Sequence, residues 1–159
     1  MKIKPMKGKA ASEEAITTLE AELGCRLSDS FRVFLRAHDG AKPEANVFKI
    51  GDKNESGVNR FIPADEIWEE RAHIEDFPQE KAYPVARDGS GNYVFIDEDR
   101  NGAVFFWDHE LPEQPIELAA NFSDFLDLLE PFDIKSIKLR PGQVKRAWID
   151  PDFLKRLKK

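Results

Sequence analysis

An Asn-Gly pair between two β-rich runs is the feature that most constrains the fold of this chain. Residues 92–97 and 103–107 are dominated by aromatic and β-branched side chains, and Asn101-Gly102 lies between them. Asn and Gly tolerate the positive φ angles of tight turns, and the flanking residue types favour strands. The pattern therefore predicts an antiparallel β-hairpin.

Other extended segments surround this hairpin. Residues 83–87 precede it, with Asp88-Gly89-Ser90-Gly91 as the intervening turn, and residues 115–118 predict an edge strand. Residues 47–50 predict a further strand, and the polar residues 52–59 predict a loop. Together these segments indicate an antiparallel meander of about four to six strands.

Helical signals flank the strands. Ser12 is a good N-cap for a helix that Gly24 closes, and Ser28 opens a second helix that stops at Asp39-Gly40, which predicts an N-terminal helical hairpin. Residues 63–71 predict a short helix with Trp68 facing inward. Asn121 and Asp124 open a closing helix that packs on the sheet. The fold class expected is α+β.

Charge divides the 159 residues unevenly. Residues 134–159 carry nine Lys or Arg and two Asp, while residues 1–133 carry 15 basic and 28 acidic side chains. An acidic body should repel nucleic acid and attract basic partners. We predict an arm at 1–11, a domain at 12–132 and a basic extension at 133–159. The extension either contacts phosphates or an acidic neighbour, or packs on its own acidic body, with Trp148 as an anchor or an interface residue.

The expected location is cytoplasmic. Cys25 is the only cysteine, so no internal disulfide is possible, and the longest apolar runs are too short for a membrane helix. Four lysines in residues 1–9 are not followed by an apolar stretch, so no signal peptide is predicted.

Four motifs follow one another along the chain. They are Leu23-Gly24-Cys25-Arg26-Leu27-Ser28-Asp29-Ser30-Phe31 followed by Phe34-Leu35 and His38-Asp39-Gly40, Tyr83-Pro84-Val85-Ala86-Arg87-Asp88-Gly89-Ser90-Gly91-Asn92-Tyr93, Val104-Phe105-Phe106-Trp107-Asp108-His109-Glu110 and Phe122-Ser123-Asp124-Phe125-Leu126. In this order they resemble the SUKH superfamily, the group that contains the Smi- and Knr-type cell-wall regulators of fungi. The similarity covers roughly residues 13–131, and it departs from the family pattern at Ser28, where Pro is usual, and at Asp39, where Asn is usual.

The resemblance implies a non-enzymatic protein-binding role. Bacterial members look like immunity proteins that neutralise polymorphic toxins, often nucleases, so the expected partner is a basic toxin domain; the alternative is a regulatory scaffold of the SMI/KNR type. Loops at strand ends project from a rigid sheet, so we expect the contact there. The candidate partner-binding residues are Asp88, Asn92, Asp97, Asp99, Asp108, His109 and Glu110.

A calcium loop is a further alternative for the central hairpin. Asp97, Asp99 and Asn101-Gly102, with Asp108 at the twelfth place, fit the layout of an EF-hand loop. The segments on either side are typical of strands and not of the helices of an EF-hand. A hairpin turn with Asn-Gly therefore explains the same residues without a metal ion.

No catalytic residue, metal ligand or cofactor is predicted. His38, His73 and His109 have no ligand spacing, and Gly89-Ser90-Gly91-Asn92 lacks the lysine and the following helix of a phosphate loop. Asp108-His109 has no identifiable nucleophile beside it. Trp107, like Trp68, is expected in the core.

Overall fold

The computed structural model describes residues 6–51, 54–77 and 81–131. It shows an α+β fold, as predicted. The elements in chain order are β1 (Met6–Lys9), α1 (Glu13–Leu23), α2 (Asp29–His38), β2 (Asp39–Pro43), β3 (Ala45–Ile50), β4 (Asn54–Gly57), β5 (Arg60–Phe61), α3 (Ala64–His73), β6 (Ala82–Arg87), β7 (Tyr93–Asp97), β8 (Ala103–Trp107), β9 (Ile116–Ala119), α4 (Phe122–Leu128) and β10 (Glu130–Pro131).

The predicted meander is confirmed as a five-stranded antiparallel sheet, but the strand predicted at residues 47–50, β3, lies in a separate sheet. Its strand order follows the sequence, β5-β6-β7-β8-β9. Short turns join β6 to β7 and β7 to β8, which is why local sequence signals were sufficient to locate these strands. The predicted edge strand is β9.

The N-terminal helical hairpin is also confirmed. Ser12 Oγ accepts the Ala15 N–H at 3.0 Å at the start of α1, and Gly24 ends this helix with a φ of 70°. Ser28 precedes α2 but makes no side-chain capping bond. At the closing helix α4, Asn121 Oδ1 accepts the Asp124 N–H at 2.8 Å.

The main core lies between these helices and one face of the five-stranded sheet. Phe122 of α4 lies 5.0 Å from Phe31 and 5.0 Å from Phe34 of α2, measured between ring centroids. Val94 and Ile96 of β7 alternate toward this core. Aromatic edge-to-face pairs of this kind add to the free energy gained by burial.

The opposite face of the sheet carries a smaller apolar cluster. Ala82, Phe95, Ala103, Phe105 and Trp107 are all buried, with Ile74 and Phe77 after α3 packed against them. Because both faces of β7 and β8 are buried, these strands are almost continuously apolar instead of alternating.

Three features differ from the sequence prediction. Residues 54–57, predicted as a loop, form β4 and pair with β3. Trp68, predicted inward, is 38% exposed and lies under the Arg71 guanidinium, 5.5 Å from the ring centroid. Two small sheets, β1-β2 and β10-β3-β4, were not predicted, although residues 47–50 of β3 were predicted as a strand. The pairs β1-β2 and β10-β3 join short strands across long sequence separations.

The predicted arm lies partly, and the predicted extension entirely, outside the residues that the structure describes. Met6–Lys9 of the arm forms β1, which pairs with β2. The extension, with Trp148, lies outside the described residues. None of the helices in the described part of the chain is long and apolar enough to span a bilayer.

Candidate functional site

The antiparallel sheet separates the predicted site residues into two groups at opposite ends. At one end, Arg87 pairs with Tyr93 and Tyr93 with Trp107; at the other, Ala82 pairs with Asp97 and Asp97 with Ala103. We name the first the loop end, comprising residues 88–92 and 108–115, and the second the turn end, comprising residues 97–102. The loop end holds Asp88, Asn92, Asp108, His109 and Glu110, and the turn end holds Asp97 and Asp99.

At the loop end, Asp88 organises the first loop. Its Oδ1 accepts the backbone N–H groups of Ser90 at 2.7 Å and Asn92 at 3.0 Å. Its Oδ2 accepts from Asn92 Nδ2 at 2.8 Å. An Asp side chain that bonds to the backbone two residues on is typical of a turn, and here it also fixes the amide of Asn92.

Asn92 joins this loop to the second one. Its Oδ1 accepts the His109 backbone N–H at 3.1 Å and lies 2.7 Å from His109 Nδ1. Asp108 Oδ1 accepts the Glu110 N–H at 2.9 Å and holds the second loop in turn. The structure therefore brings the five predicted residues together in one hydrogen-bonded surface.

A groove of about 570 Å³ opens beside these loops. It lies between the β3–β4 hairpin, the first loop and the β8–β9 connection, and Leu111 and Ile116 in its wall are 54% and 44% exposed. Sequence reasoning missed the groove, because β4 was predicted as a loop. The lining residues are Ile50, Asn54, Glu55, Ser56, Asp88, Ser90, Asn92, Phe106, Asp108, Leu111, Gln114, Pro115 and Ile116.

Two shallower depressions continue from the loop end toward α3. One has a volume of about 360 Å³ and includes Gly91 and His109, and the other, of about 320 Å³, includes Arg87. Their described linings hold five carboxylates, Glu66, Glu69, Glu70, Glu75 and Asp76, and the groove adds Glu55, Asp88 and Asp108. Arg87 is the one Lys or Arg among the described lining residues, so this surface is strongly acidic.

Arg87 is itself neutralised by Glu70. The guanidinium donates two hydrogen bonds to the Glu70 carboxylate, and the Tyr93 hydroxyl donates a third at 2.9 Å. Burial raises the pKa of the Glu70 carboxyl, but the bonds from Arg87 and Tyr93 outweigh burial and hold this pKa below its ordinary value. This cluster attaches α3 to the sheet, and no local sequence signal indicates it.

At the turn end, Asp97 and Glu98 are bonded to the protein itself, whereas the Asp99 side chain is exposed. Asp97 is only 2% exposed, and its Oδ1 accepts the Asp99 N–H at 2.9 Å. Glu98 Oε1 accepts from Ser28 N at 2.8 Å, Ser28 Oγ at 2.7 Å and the Tyr83 hydroxyl at 2.6 Å. These bonds connect the turn to the link between α1 and α2, a structural role that sequence reasoning missed.

The calcium-loop alternative is contradicted by this geometry. Asp97 and Asp108, the first and twelfth places of the loop, lie at opposite ends of β8, roughly 17 Å apart along a five-residue strand. An EF-hand loop requires both residues on one ion. Within residues 6–51, 54–77 and 81–131, no group of three or more His, Cys, Asp or Glu side chains is placed to hold a metal ion.

Comparison with protein families gives a match to most of the chain. The model of the SMI1 / KNR4 family (SUKH-1) matches residues 10–128, which is 119 of the 159 residues and includes both ends of the sheet. No curated protein matches the sequence.

Proposed function

The chain belongs to the SMI1 / KNR4 family (SUKH-1), and from this membership we propose that it is a protein-binding immunity protein that neutralises a basic, nuclease-type toxin. The observation that carries the proposal is the acidic surface that extends from the loop end to β4 and α3. Eight carboxylates line its three depressions, and their one arginine is bonded to Glu70.

Charge supports a basic partner. A nuclease binds phosphates through Lys and Arg, so its substrate cleft carries a positive potential. A surface of opposite sign speeds the encounter with such a cleft and disfavours partners of the same sign. A bound acidic surface would also exclude nucleic acid from the cleft.

The rigidity of the loops supports binding. Three hydrogen bonds that Asp88 accepts fix the first loop internally, and two between Asn92 and His109 join it to the second, all of 2.7–3.1 Å. Because these loops are ordered before they meet a partner, little conformational entropy is lost on association.

The contacts of the histidines favour a non-enzymatic role. His109 Nδ1 lies on the Asn92 amide oxygen, and His73 Nδ1 lies 2.7 Å from the Glu69 carbonyl oxygen of its own helix. These contacts leave Nε2 as the basic nitrogen of each ring, and the hydrogen bonds described for the two rings include no hydroxyl or thiol that a base could activate. A cytoplasmic location is part of the proposal, since Cys25 is the only cysteine.

The test is affinity capture of the full chain from its host, followed by expression of the captured protein alone and together with this chain. We expect one stoichiometric partner that is basic, is toxic alone and is harmless when co-expressed. The double variant Glu55→Lys, Glu110→Lys should reduce the association rate by about tenfold or more at low salt. The matched control is Glu14→Lys, Glu22→Lys, two exposed positions on α1.

Two outcomes contradict the proposal. A stoichiometric partner without toxicity removes the immunity role, and several envelope or signalling proteins captured at low stoichiometry favour the regulatory scaffold. If the loop-end variant and the α1 control bind equally fast, the contact surface lies elsewhere.

A further inference from the structure

The groove at the loop end combines exposed apolar side chains with carboxylates. Five large hydrophobic residues among the described ones are exposed, and two of them, Leu111 and Ile116, line this groove. Its wall also includes Ile50, Phe106 and Pro115. An apolar patch that is rimmed by polar groups is typical of an interaction site.

The charge of the groove is of one sign. Glu55 on β4, Asp88 on the first loop and Asp108 on the second approach it from three segments, and its described lining contains no Lys or Arg. Asp88 accepts four hydrogen bonds, so it contributes fixed negative charge to the groove more than open acceptor sites. Asp108 accepts the Glu110 N–H through Oδ1, so its carboxylate is positioned in advance and its Oδ2 can accept from a cation that enters the groove.

The other two depressions lack this combination. The depression at Glu66 and Glu69 contains the guanidinium of Arg87, and its described lining holds no exposed large hydrophobic residue. In the depression at Glu75 and Asp76, Trp107 is only 4% exposed. Among the described linings of these three depressions, the exposed large hydrophobic side chains therefore lie in the groove.

We propose that the groove receives a short extended segment of the protein partner. An Arg or Lys of this segment lies between Glu55, Asp88 and Asp108, and an adjacent aliphatic side chain packs on Leu111 and Ile116. The long stem of a basic side chain covers apolar surface while its charged head reaches the carboxylates. The groove volume of about 570 Å³ lies within the range of sites that hold such a ligand. This inference rests on the proposed protein-binding function and names the chemistry of the contact.

Three tripeptide probes test the inference on the ¹⁵N-labelled full chain. Acetyl-Leu-Arg-Leu-amide carries both elements, acetyl-Leu-citrulline-Leu-amide lacks the charge, and acetyl-Gly-Arg-Gly-amide lacks the apolar anchors. We expect the first to shift the amide resonances of Ser90, Asn92 and Leu111 and to bind at least about fivefold more tightly than either of the others.

Matched variants locate the binding. Ile116→Ser should reduce the affinity for the first peptide to that of the glycine peptide, whereas Val33→Ser, an equally exposed position on α2, should have no effect. Glu55→Gln should remove much of the preference for arginine over citrulline, and Glu22→Gln on α1 should retain it. The amide spectra of the free variants verify that each one is folded.

The proposal is overturned if the three peptides bind equally, if none of them binds, or if the shifted amides cluster at Glu66 and Glu69. These failures are separate from failure of the proposed function. Suppose that the double variant Glu55→Lys, Glu110→Lys no longer binds a toxic partner, but that no peptide binds in the groove of the native chain. This outcome refutes only the proposal that the groove receives a segment of the partner. A captured partner without toxicity refutes the immunity role and leaves the peptide result standing.

Discussion

The two ends of the five-stranded sheet carry similar acidic turns and use them differently. At the turn end, Asp97 is buried and Glu98 accepts three hydrogen bonds from Ser28 and Tyr83. At the loop end, Asp108 accepts a backbone N–H of its own loop, Asp88 bonds within its loop and to Ser56 of β4, and both line an open groove. Glu98 therefore joins the turn end to the rest of the fold, whereas the acids of the loop end border an open acidic surface.

The reason for the difference is the position of the helical hairpin. The link between α1 and α2 reaches the turn end, where Ser28 presents both its N–H and its hydroxyl to Glu98. At the loop end, the β3–β4 hairpin approaches instead, and Ser56 donates to Asp88 at 3.3 Å, which leaves the groove between them. What packs against a turn, and not its composition, decides whether its acids face solvent.

The largest expected effect is that of Glu98→Ala. This change leaves the buried Tyr83 hydroxyl and the Ser28 donors without their acceptor, so the free energy of unfolding should fall by about 3–5 kcal/mol. Glu110→Ala at the loop end should change it by less than about 0.5 kcal/mol. Urea denaturation of both variants measures the difference, and equal losses would remove the distinction between the two ends.

Gly102→Ala should have the next largest effect. Gly102 has a φ of 78°, and a Cβ there would lie 2.4 Å from Ser28 Oγ, which Glu98 holds in place. We expect a loss of about 2–3 kcal/mol, part from the left-handed backbone and part from the displaced serine.

Gly24→Ala separates these two causes. Gly24 has a φ of 70°, but no atom lies within 4 Å of its added Cβ, so it should lose only about 1 kcal/mol. If both alanine variants lose the same free energy of unfolding, the Cβ added at position 102 does not displace Ser28.

The smallest effect concerns the two tyrosines of the chain, one at each end. Burial, followed by the Glu70 acceptor, raises the pKa of Tyr93 to about 12. Burial and Glu98 raise the pKa of Tyr83 well above its ordinary value. Absorbance at 295 nm after a rapid pH jump should therefore show one phenol titrating near 12, and Tyr93→Phe should abolish that step.

The raised pKa also has a consequence for stability. Between the unfolded value of about 10 and the folded value of about 12, the native protein holds a proton that the unfolded chain has released. The contribution of Tyr93 to the free energy of unfolding is therefore fully present below pH 10, and it is lost as the pH rises from 10 through 12. A titration step near pH 10 in the folded protein would contradict both the burial of the Tyr93 phenol and its bond to Glu70.

Local signals were enough for much of the fold. Helix α1 begins after Ser12 and ends at Gly24 as predicted, and the Asn101-Gly102 turn joins β7 to β8. These signals were sufficient because caps and tight turns depend on residues within a few positions. The prediction failed for β4, whose polar residues become a strand only by pairing with β3. It failed for Trp68 because helix periodicity does not show how wide the buried face of α3 is.

The sequence by itself determined the α+β class, the order of the meander strands, the acidic character of the body and the family. These properties depend on composition, periodicity and short-range motifs. Only the tertiary structure decided which acids are free, because strand direction sends alternate turns to opposite ends of a sheet. It alone placed Glu98 against Ser28 and assembled a groove from the β3–β4 hairpin and two loops, since contacts between distant residues arise from packing.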